Sequence, residues 1–168
     1  DFDALPEADV EFEPLGTDDP AYLQYTSGST TFPRGVEVTQ KTVLNNLMEI
    51  ARYGLKLNQK DRFVSWLPFY HDMGLVGFIL VPLIGQLSVD YLGSRTFAMR
   101  PRLWLKILSD NGGTISSAPT FGYALCAKRL RPSDVEGYNL SNWRAACVGA
   151  ERINPEPLQE FANILEPC

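Results

Sequence analysis

The sequence predicts an α/β fold: a mostly parallel sheet with helices on both faces. First, 45% of the 168 residues are hydrophobic, which is enough apolar surface to form one core. Second, short strand patterns alternate with helical patterns of roughly 10–15 residues. That alternation implies right-handed βαβ crossovers, which build parallel sheets. Third, Gly and Pro residues separate most of these patterns.

Charge and composition exclude several classes of protein. Fifteen basic and twenty acidic residues give a net charge of −5 without a basic block, so we expect no nucleic-acid partner. Three cysteines and one histidine, His71, match neither a zinc site nor a disulfide scaffold, so we expect no metal held by protein ligands. The longest apolar stretch, 73–85, falls short of the roughly 20 residues of a membrane span. With no signal peptide at its start, the chain is expected to be cytoplasmic.

The first elements follow an acidic lead-in. Residues 1–20 hold eight acidic side chains and three prolines, so we predict a linker there and an incomplete α/β subdomain over 21–168. Two short strands are predicted, over 21–25 and 35–38. Thr39 then caps a helix that ends at Gly54. Its apolar positions are Val43, Leu44, Leu47, Ile50 and Ala51.

The next two units repeat the strand and helix pattern. A strand over 63–67 ends at Pro68, and a turn over 70–72 opens an apolar helix over 73–84. A strand over 87–92 is followed by a helix with Trp104, Leu105 and Leu108 on one face. The Asn-Gly-Gly sequence at 111–113 ends that helix.

The last two units complete the sheet. A strand over 114–117 stops at Pro119, and a helix follows. We predict one face of that helix from Phe121, Ala124, Leu125 and Leu130. After a polar loop over 131–142, a strand over 143–148 leads into the turn 149–151, and Pro155 opens the final helix.

A hydroxyl-rich loop after the first strand is the strongest functional signal. Backbone N–H groups in such a turn, hydroxyl donors and a guanidinium together suit a polyphosphate. The candidate residues are Thr26, Ser27, Gly28, Ser29, Thr30, Thr31, Arg34 and Gly35. A solvated Ser/Thr-rich loop is the alternative interpretation. We favour phosphate binding because open α/β sheets bind ligands beyond the carboxyl ends of their strands.

Other nucleotide and hydrolase motifs are missing from this sequence. No G-x-x-x-x-G-K-[ST] occurs, and no G-x-G-x-x-G follows a strand. No G-x-S-x-G supplies a serine nucleophile. The chain is therefore neither a P-loop NTPase, a Rossmann dinucleotide site nor a serine hydrolase.

The same loop resembles a known phosphate-binding signature. Residues 25–35 are similar to the Tyr-Thr-Ser-Gly-Ser-Thr-x-x-Pro-Lys-Gly of the adenylate-forming enzymes. They differ at Arg34, where that family usually has lysine, and at Thr31, where many acyl-CoA ligases have glycine. Arginine keeps the positive charge but changes its geometry.

Further segments resemble the fatty acyl-AMP ligase branch of that family. They appear in the family's order at 66–77, 100–104, 117–126, 143–144 and 149–151. The resemblance covers nearly everything after residue 20. It implies that the chain is a fragment of the large N-terminal domain of such an enzyme.

The resemblance also implies a reaction and its cofactors. A fatty carboxylate attacks the α-phosphorus of ATP, with Mg²⁺, and pyrophosphate leaves. The acyl group then passes to the thiol of an acyl carrier protein, or to coenzyme A in the sister ligases. Residues 26–31 and Gly35 would hold the β- and γ-phosphates. Gly149, Ala150 and Glu151 would lie along the adenine, and His71 would be catalytic, where the carboxylate meets the α-phosphate.

Three alternatives stay open around the histidine motif. His71 can be a capping residue instead of a catalytic one. Asp72 can be a helix N-cap or the partner that orients His71. The apolar run 73–84 can be an ordinary core helix, which we favour, or the wall of an acyl tunnel.

The resemblance implies that parts of the enzyme are missing. Complete members carry a Tyr-Gly-x-x-Glu segment that helps hold Mg²⁺, a ribose-binding aspartate, and a lysine in a small C-terminal domain. We therefore expect the fragment alone to be inactive. A fragment of an acyl-CoA synthetase, or a nucleotide-binding or interaction module without catalysis, are the alternatives.

Overall fold

The computed structural model describes residues 13–26, 33–166 and 168. The chain divides into two compact units, residues 1–48 and 49–168. No helix among the described residues is both long and apolar enough to cross a membrane.

The first unit contains an antiparallel pair of strands. Strand β1 (Pro20–Thr26) pairs with strand β2 (Arg34–Thr39), and Thr26 lies opposite Arg34. Both strands were predicted, and they pair with each other in a two-stranded sheet, whereas the phosphate-loop interpretation treated the first as a strand of an open α/β sheet. Periodicity reports that a segment is extended, whereas the choice of partner strand depends on contacts across the chain.

Helix α1 (Gln40–Glu49) follows β2 directly. The predicted cap is confirmed, because Thr39 Oγ1 accepts a hydrogen bond from the Thr42 N–H at 3.3 Å. Of the predicted apolar face, Val43 and Leu47 are buried, whereas Leu44 is 48% exposed and was assigned wrongly. A π-helical turn over Ile50–Gly54 ends at the predicted glycine.

A four-stranded parallel sheet organises the second unit and confirms the predicted fold class. Its strands are β3 (Arg62–Ser65), β4 (Ser88–Tyr91), β5 (Ile115–Ala118) and β6 (Ala145–Val148). Their order across the sheet is β4-β3-β5-β6, and every neighbouring pair is parallel. After β3, the chain forms β4 on one side of it. It then crosses back over β3 to form β5 and β6 on the other side. With right-handed crossovers, these two movements place their helices on opposite faces.

The crossovers are helical, as expected. The predicted helix over 73–84 is three consecutive pieces in the structure: α2 (Asp72–Leu75), a π-helical turn (Val76–Leu80) and α3 (Val81–Gly85). Pro82 lies in the first turn of α3, where its missing N–H costs little. The remaining helices are α4 (Ser94–Met99), α5 (Arg102–Asp110), α6 (Thr120–Arg129) and α7 (Pro155–Leu165). The sequence pattern missed α4.

The predicted face of α6 is partly confirmed, because Leu130 is buried, but the helix packs mainly through other residues. Gly122, Tyr123 and Cys126 are buried, whereas Phe121 is 54% exposed. A Cβ atom on Gly122 would lie 2.7 Å from Trp66 Cζ2, so α6 and the Trp66 ring meet at a distance that only glycine allows. A hydrophobic pattern does not register a glycine contact of this kind, and that is why the prediction wrongly placed Phe121 on the buried face.

The core of the second unit centres on Trp104 of α5. Its side chain is fully buried, and its Nε1–H donates to Ser116 Oγ of β5 at 2.8 Å. The ring meets Tyr123 edge to face at 5.5 Å and stacks near Phe161 at 6.1 Å. The sheet and the helices α5, α6 and α7 therefore share one aromatic core, which holds the strand ends in place.

Candidate functional site

A cavity of about 240 Å³ opens beyond the carboxyl ends of the sheet. Its walls come from the segments that follow β3, β5 and β6. The lining residues are Trp66, Leu67, Pro68, His71, Met73, Pro119, Phe121, Ala150 and Glu151. The chain reverses its direction across the sheet between β3 and β5. Ligands of open α/β sheets bind at this reversal point, beyond the strand ends.

The size and lining of the cavity limit what it can hold. Sites for complete small ligands usually measure about 300–1,000 Å³, so this cavity has room for part of a larger ligand. Trp66, Leu67 and Phe121 supply apolar walls, and the ionisable groups among the lining residues are His71 and Glu151. This combination suits a ligand with an apolar portion next to a polar reacting group.

His71 is held at the edge of the cavity by its own helix. It is the N-cap of α2, and its Nδ1 lies 2.7 Å from Asp72 Oδ1 and 3.2 Å from the Met73 nitrogen. Nδ1 cannot donate and accept a proton at once. The Met73 N–H also reaches Asp72 Oδ1 at 2.7 Å. If Nδ1 carries a proton and donates it to Asp72, the carboxylate accepts from both the imidazole and the Met73 N–H, and all three groups have partners. In the neutral ring, Nε2 then carries the lone pair.

This geometry resolves the alternatives for Asp72. His71, not Asp72, takes the N-cap position, and Asp72 is the partner of the imidazole. The capping and catalytic interpretations of His71 are compatible. A ring at the N-cap position whose Nδ1–H donates to Asp72 still offers Nε2 for contact with a ligand.

Trp66 forms a rigid wall of the cavity. Its ring is 4% exposed and stacks on Phe97 with centroids 3.8 Å apart and an interplanar angle of 5°. Its Nε1 is buried and has no hydrogen-bond partner among the described residues. Because solvent cannot reach that nitrogen, Trp66 presents the carbon surface of its ring to the cavity, not its N–H group.

The end of β6 is anchored before it reaches the cavity. The carbonyl oxygen of Cys147 accepts hydrogen bonds from the Tyr123 hydroxyl at 2.7 Å and the Ser117 hydroxyl at 3.1 Å. Burial raises the pKa of Tyr123, so the phenol stays a neutral donor. These bonds fix the strand immediately before the turn at Gly149.

The turn 149–151 bends sharply into the cavity wall. Ala150 has φ +65°, a left-handed conformation that is uncommon for a residue with a Cβ. Glu151 Oε1 accepts a hydrogen bond from the Phe121 N–H at 2.7 Å. The turn is therefore connected to the first turn of α6, which also lines the cavity through Phe121.

The structure separates the sequence-predicted site residues into two groups. His71, Ala150 and Glu151 line the cavity, and Gly149 directly precedes Ala150 in the sequence. The remaining candidates belong to the first unit. Thr26 ends β1, while Arg34 and Gly35 begin β2, and a Cβ on Gly35 would touch the Tyr25 ring at 3.4 Å. The other candidates lie outside the described residues: Ser27, Gly28, Ser29, Thr30 and Thr31.

Sequence reasoning did not select the aromatic and proline residues of the cavity as site residues. Trp66 and Pro119 directly follow strands β3 and β5, and Pro68 and Phe121 lie two positions further on. Their position at two strand ends was the available signal. Among the described residues, no three His, Cys, Asp or Glu side chains are grouped so that they could hold a metal ion.

Comparison with known proteins identifies similar enzymes. The family model described as AMP-binding enzyme matches residues 2–168. A 4-hydroxyphenylalkanoate adenylyltransferase of Mycobacterium marinum is 40% identical over 99% of this chain and 27% of its own length. A medium-chain-fatty-acid–[acyl-carrier-protein] ligase of Teredinibacter turnerae is 38% identical over 90% of this chain and 23% of its own length.

A solved structure shares the fold. It comes from a study of fatty acyl-adenylate ligases of E. coli and L. pneumophila, and it superposes with a TM-score of 0.88 at 57% identity. The superposition covers 98% of this chain and 30% of that one. The chain thus spans less than a third of the length of each protein compared.

Proposed function

Because the chain belongs to the AMP-binding enzyme family, we propose that it forms part of a longer ligase that activates a fatty acid as an acyl-adenylate. The observation that carries this proposal is the cavity at the reversal point of the sheet, where His71 meets the turn 149–151. Within the enzyme, residues 21–168 would be part of the AMP-binding domain, with residues 1–20 leading into it.

The proposed reaction assigns a role to each part of the cavity. A carboxylate oxygen of the fatty acid attacks the α-phosphorus of ATP, the bond to the bridging oxygen breaks, and pyrophosphate leaves. His71 would meet the reacting carboxylate and α-phosphate through Nε2. The apolar walls formed by Trp66, Leu67 and Phe121 would receive the start of the acyl chain, and the turn 149–151 would lie along the adenine.

The hydroxyl-rich segment would bind the rest of the nucleotide. We assign the β- and γ-phosphates to residues 26–31 and Gly35, with Arg34 as the nearby cation. The hydroxyl and glycine content of this segment and its family motif support the assignment. The position of its strand does not, because that strand lies in a hairpin and not in the parallel sheet. Adenylyl transfer depends mainly on positioning and on stabilising the developing charge.

Mg²⁺ would be held from outside this chain. The described residues offer no cluster of carboxylates suited to it. Its chemistry, when bound, is to neutralise charge on the phosphates. The Tyr-Gly-x-x-Glu segment of complete family members would supply its ligand, and the chain alone is accordingly expected to be inactive.

The proposed acceptor of the acyl group is the thiol of an acyl carrier protein. One similar protein carries that activity in its name, which supports the assignment. Coenzyme A is the alternative acceptor. Supplying the adenylate-loaded enzyme with each thiol in turn separates the two, because only the true acceptor should yield a thioester. The cytoplasm, which supplies ATP, is the proposed compartment.

A hydroxamate trap tests the activation step in the full-length enzyme. Combining Ser29→Ala with Thr30→Ala should depress acyl-adenylate formation, while Ser133→Ala, an exposed serine outside the cavity, should leave it unchanged. Undiminished activity in the double variant would count against the phosphate assignment. If the unaltered enzyme activates no fatty acid, the chain belongs to a binding module without catalysis.

A further inference from the structure

The first turn of α6 has no capping group of its own. Its N-cap residue is Pro119, whose side chain has no hydrogen-bond acceptor. The first N–H groups of a helix have no partner within the helix and need an external acceptor. The Thr120 hydroxyl donates to the Arg152 carbonyl oxygen at 3.5 Å.

A residue 30 positions away supplies the missing cap. Glu151 Oε1 accepts from the Phe121 N–H at 2.7 Å, the length of a charge-assisted bond. A carboxylate is also favoured at a helix N-terminus by the helix dipole. One Glu151 oxygen is therefore committed to α6, so this side chain acts on the protein itself.

The residue next to Glu151 adopts an unfavourable conformation. Ala150 has φ +65°, a left-handed conformation that is sterically unfavourable for a residue with a Cβ. Such conformations persist where the surrounding structure holds them. The two residues after Ala150 are both held. Glu151 accepts from the Phe121 N–H, and the Arg152 carbonyl oxygen accepts from the Thr120 hydroxyl.

We propose that Glu151 is a positioning residue that fixes the turn 149–152 to the first turn of α6. This inference rests on the proposed function and refines it. The nucleotide contact of the turn then comes from the backbone around Ala150, and the Glu151 carboxylate sets the distance between the two cavity walls that Ala150 and Phe121 contribute.

Three variants of the full-length enzyme separate positioning from the other possible roles. Glu151→Gln keeps an oxygen acceptor at the same reach, whereas Glu151→Ala removes it. Adding Pro119→Ser to Glu151→Ala returns a local cap to α6 without reconnecting the turn, since Pro119 already has the extended backbone of a serine N-cap. The readouts are KM for ATP and kcat in ATP–pyrophosphate exchange, and the thermal unfolding temperature.

We expect Glu151→Ala to raise KM for ATP at least tenfold with kcat within threefold, and Glu151→Gln to stay within threefold of the unaltered enzyme in both. The variant with Pro119→Ser should recover the unfolding temperature but not KM. Recovery of KM as well would reduce Glu151 to a helix cap and overturn the proposal. A Gln variant as impaired as the Ala variant would also overturn it, because the charge would then act on the ligand. Unchanged KM in Glu151→Ala is a third contradicting result.

Amide hydrogen exchange tests the same inference without activity. In Glu151→Ala, exchange at the Phe121 amide should accelerate at least tenfold, because its N–H loses its acceptor, and adding Pro119→Ser should restore protection there. Unchanged exchange would overturn the proposal. If the unaltered enzyme activates no fatty acid, the proposed function fails, and this exchange measurement still decides the role of Glu151.

Discussion

The carboxylate of Asp61 joins the amino ends of three strands, at the edge of the sheet opposite the cavity. Asp61 precedes β3, and its side chain is 1% exposed. It accepts hydrogen bonds from Arg144 Nε and Nη2 at 2.8 and 2.7 Å, directly before β6. It also accepts from the Thr114 hydroxyl before β5, and from the backbone and side-chain nitrogens of Asn58.

We predict that Asp61→Ala strongly destabilises the chain. Breaking a buried ion pair by removing one partner costs about 3–5 kcal/mol. Arg144 is 38% exposed and can regain water, which places the expected loss near the lower value, about 3 kcal/mol. At about 2–4 °C per kcal/mol for a chain of this size, the unfolding temperature should fall by roughly 6–12 °C.

Asp90→Ala is the matched control. Asp90 pairs with Arg62 through two contacts of 2.6 and 3.0 Å, but the side chains are 21% and 36% exposed. Partly exposed pairs contribute about 0.2–1 kcal/mol, so this variant should lose no more than about 1 kcal/mol. Thermal and urea unfolding followed by circular dichroism measure both. A loss in Asp61→Ala that is no larger than in Asp90→Ala would refute the reasoning.

Three further predictions concern pH, a close contact and a thiol. Burial alone would raise the pKa of Asp61, but the hydrogen bonds it accepts outweigh burial and hold that pKa below its usual value. The stabilising contribution of the Asp61 carboxylate is therefore complete above the ordinary aspartate pKa and is lost as pH falls through the lowered pKa of the folded state. In Asp61→Asn, the loss of stability at acid pH should be smaller in unfolding experiments over a range of pH. A Cβ on Gly74 would collide with the Pro68 carbonyl oxygen, so Gly74→Ala should cost about 1–3 kcal/mol in thermal unfolding. Gly77→Ala, with open space around its Cβ, should cost nothing, and equal losses would contradict the contact. Burial raises the pKa of Cys126 to about 12, so this thiol should resist a disulfide reagent at pH 8 until the chain unfolds; rapid labelling of the native chain would show that the site opens.

Local chemistry explains which structural predictions succeeded. The alternation of strands and helices, the Thr39 cap and the helix start at Pro155 depend on residues close together in sequence, and all are confirmed. The errors concern long-range packing. Gly122 faces Trp66 from 56 positions away along the chain, and nothing in the local pattern around α6 signals that contact.

The sequence by itself determined the order of the elements, the parallel sheet and the family, because strand and helix periodicity, capping residues and motifs are all encoded over short stretches. Only the tertiary structure decided that β1 pairs with β2, that His71 and Ala150 line one cavity, and that Glu151 caps α6. The cavity and the Glu151 cap join residues at least 30 positions apart along the chain. They depend on which packing buries the most apolar surface while giving each buried polar group a partner, a balance that no short segment contains.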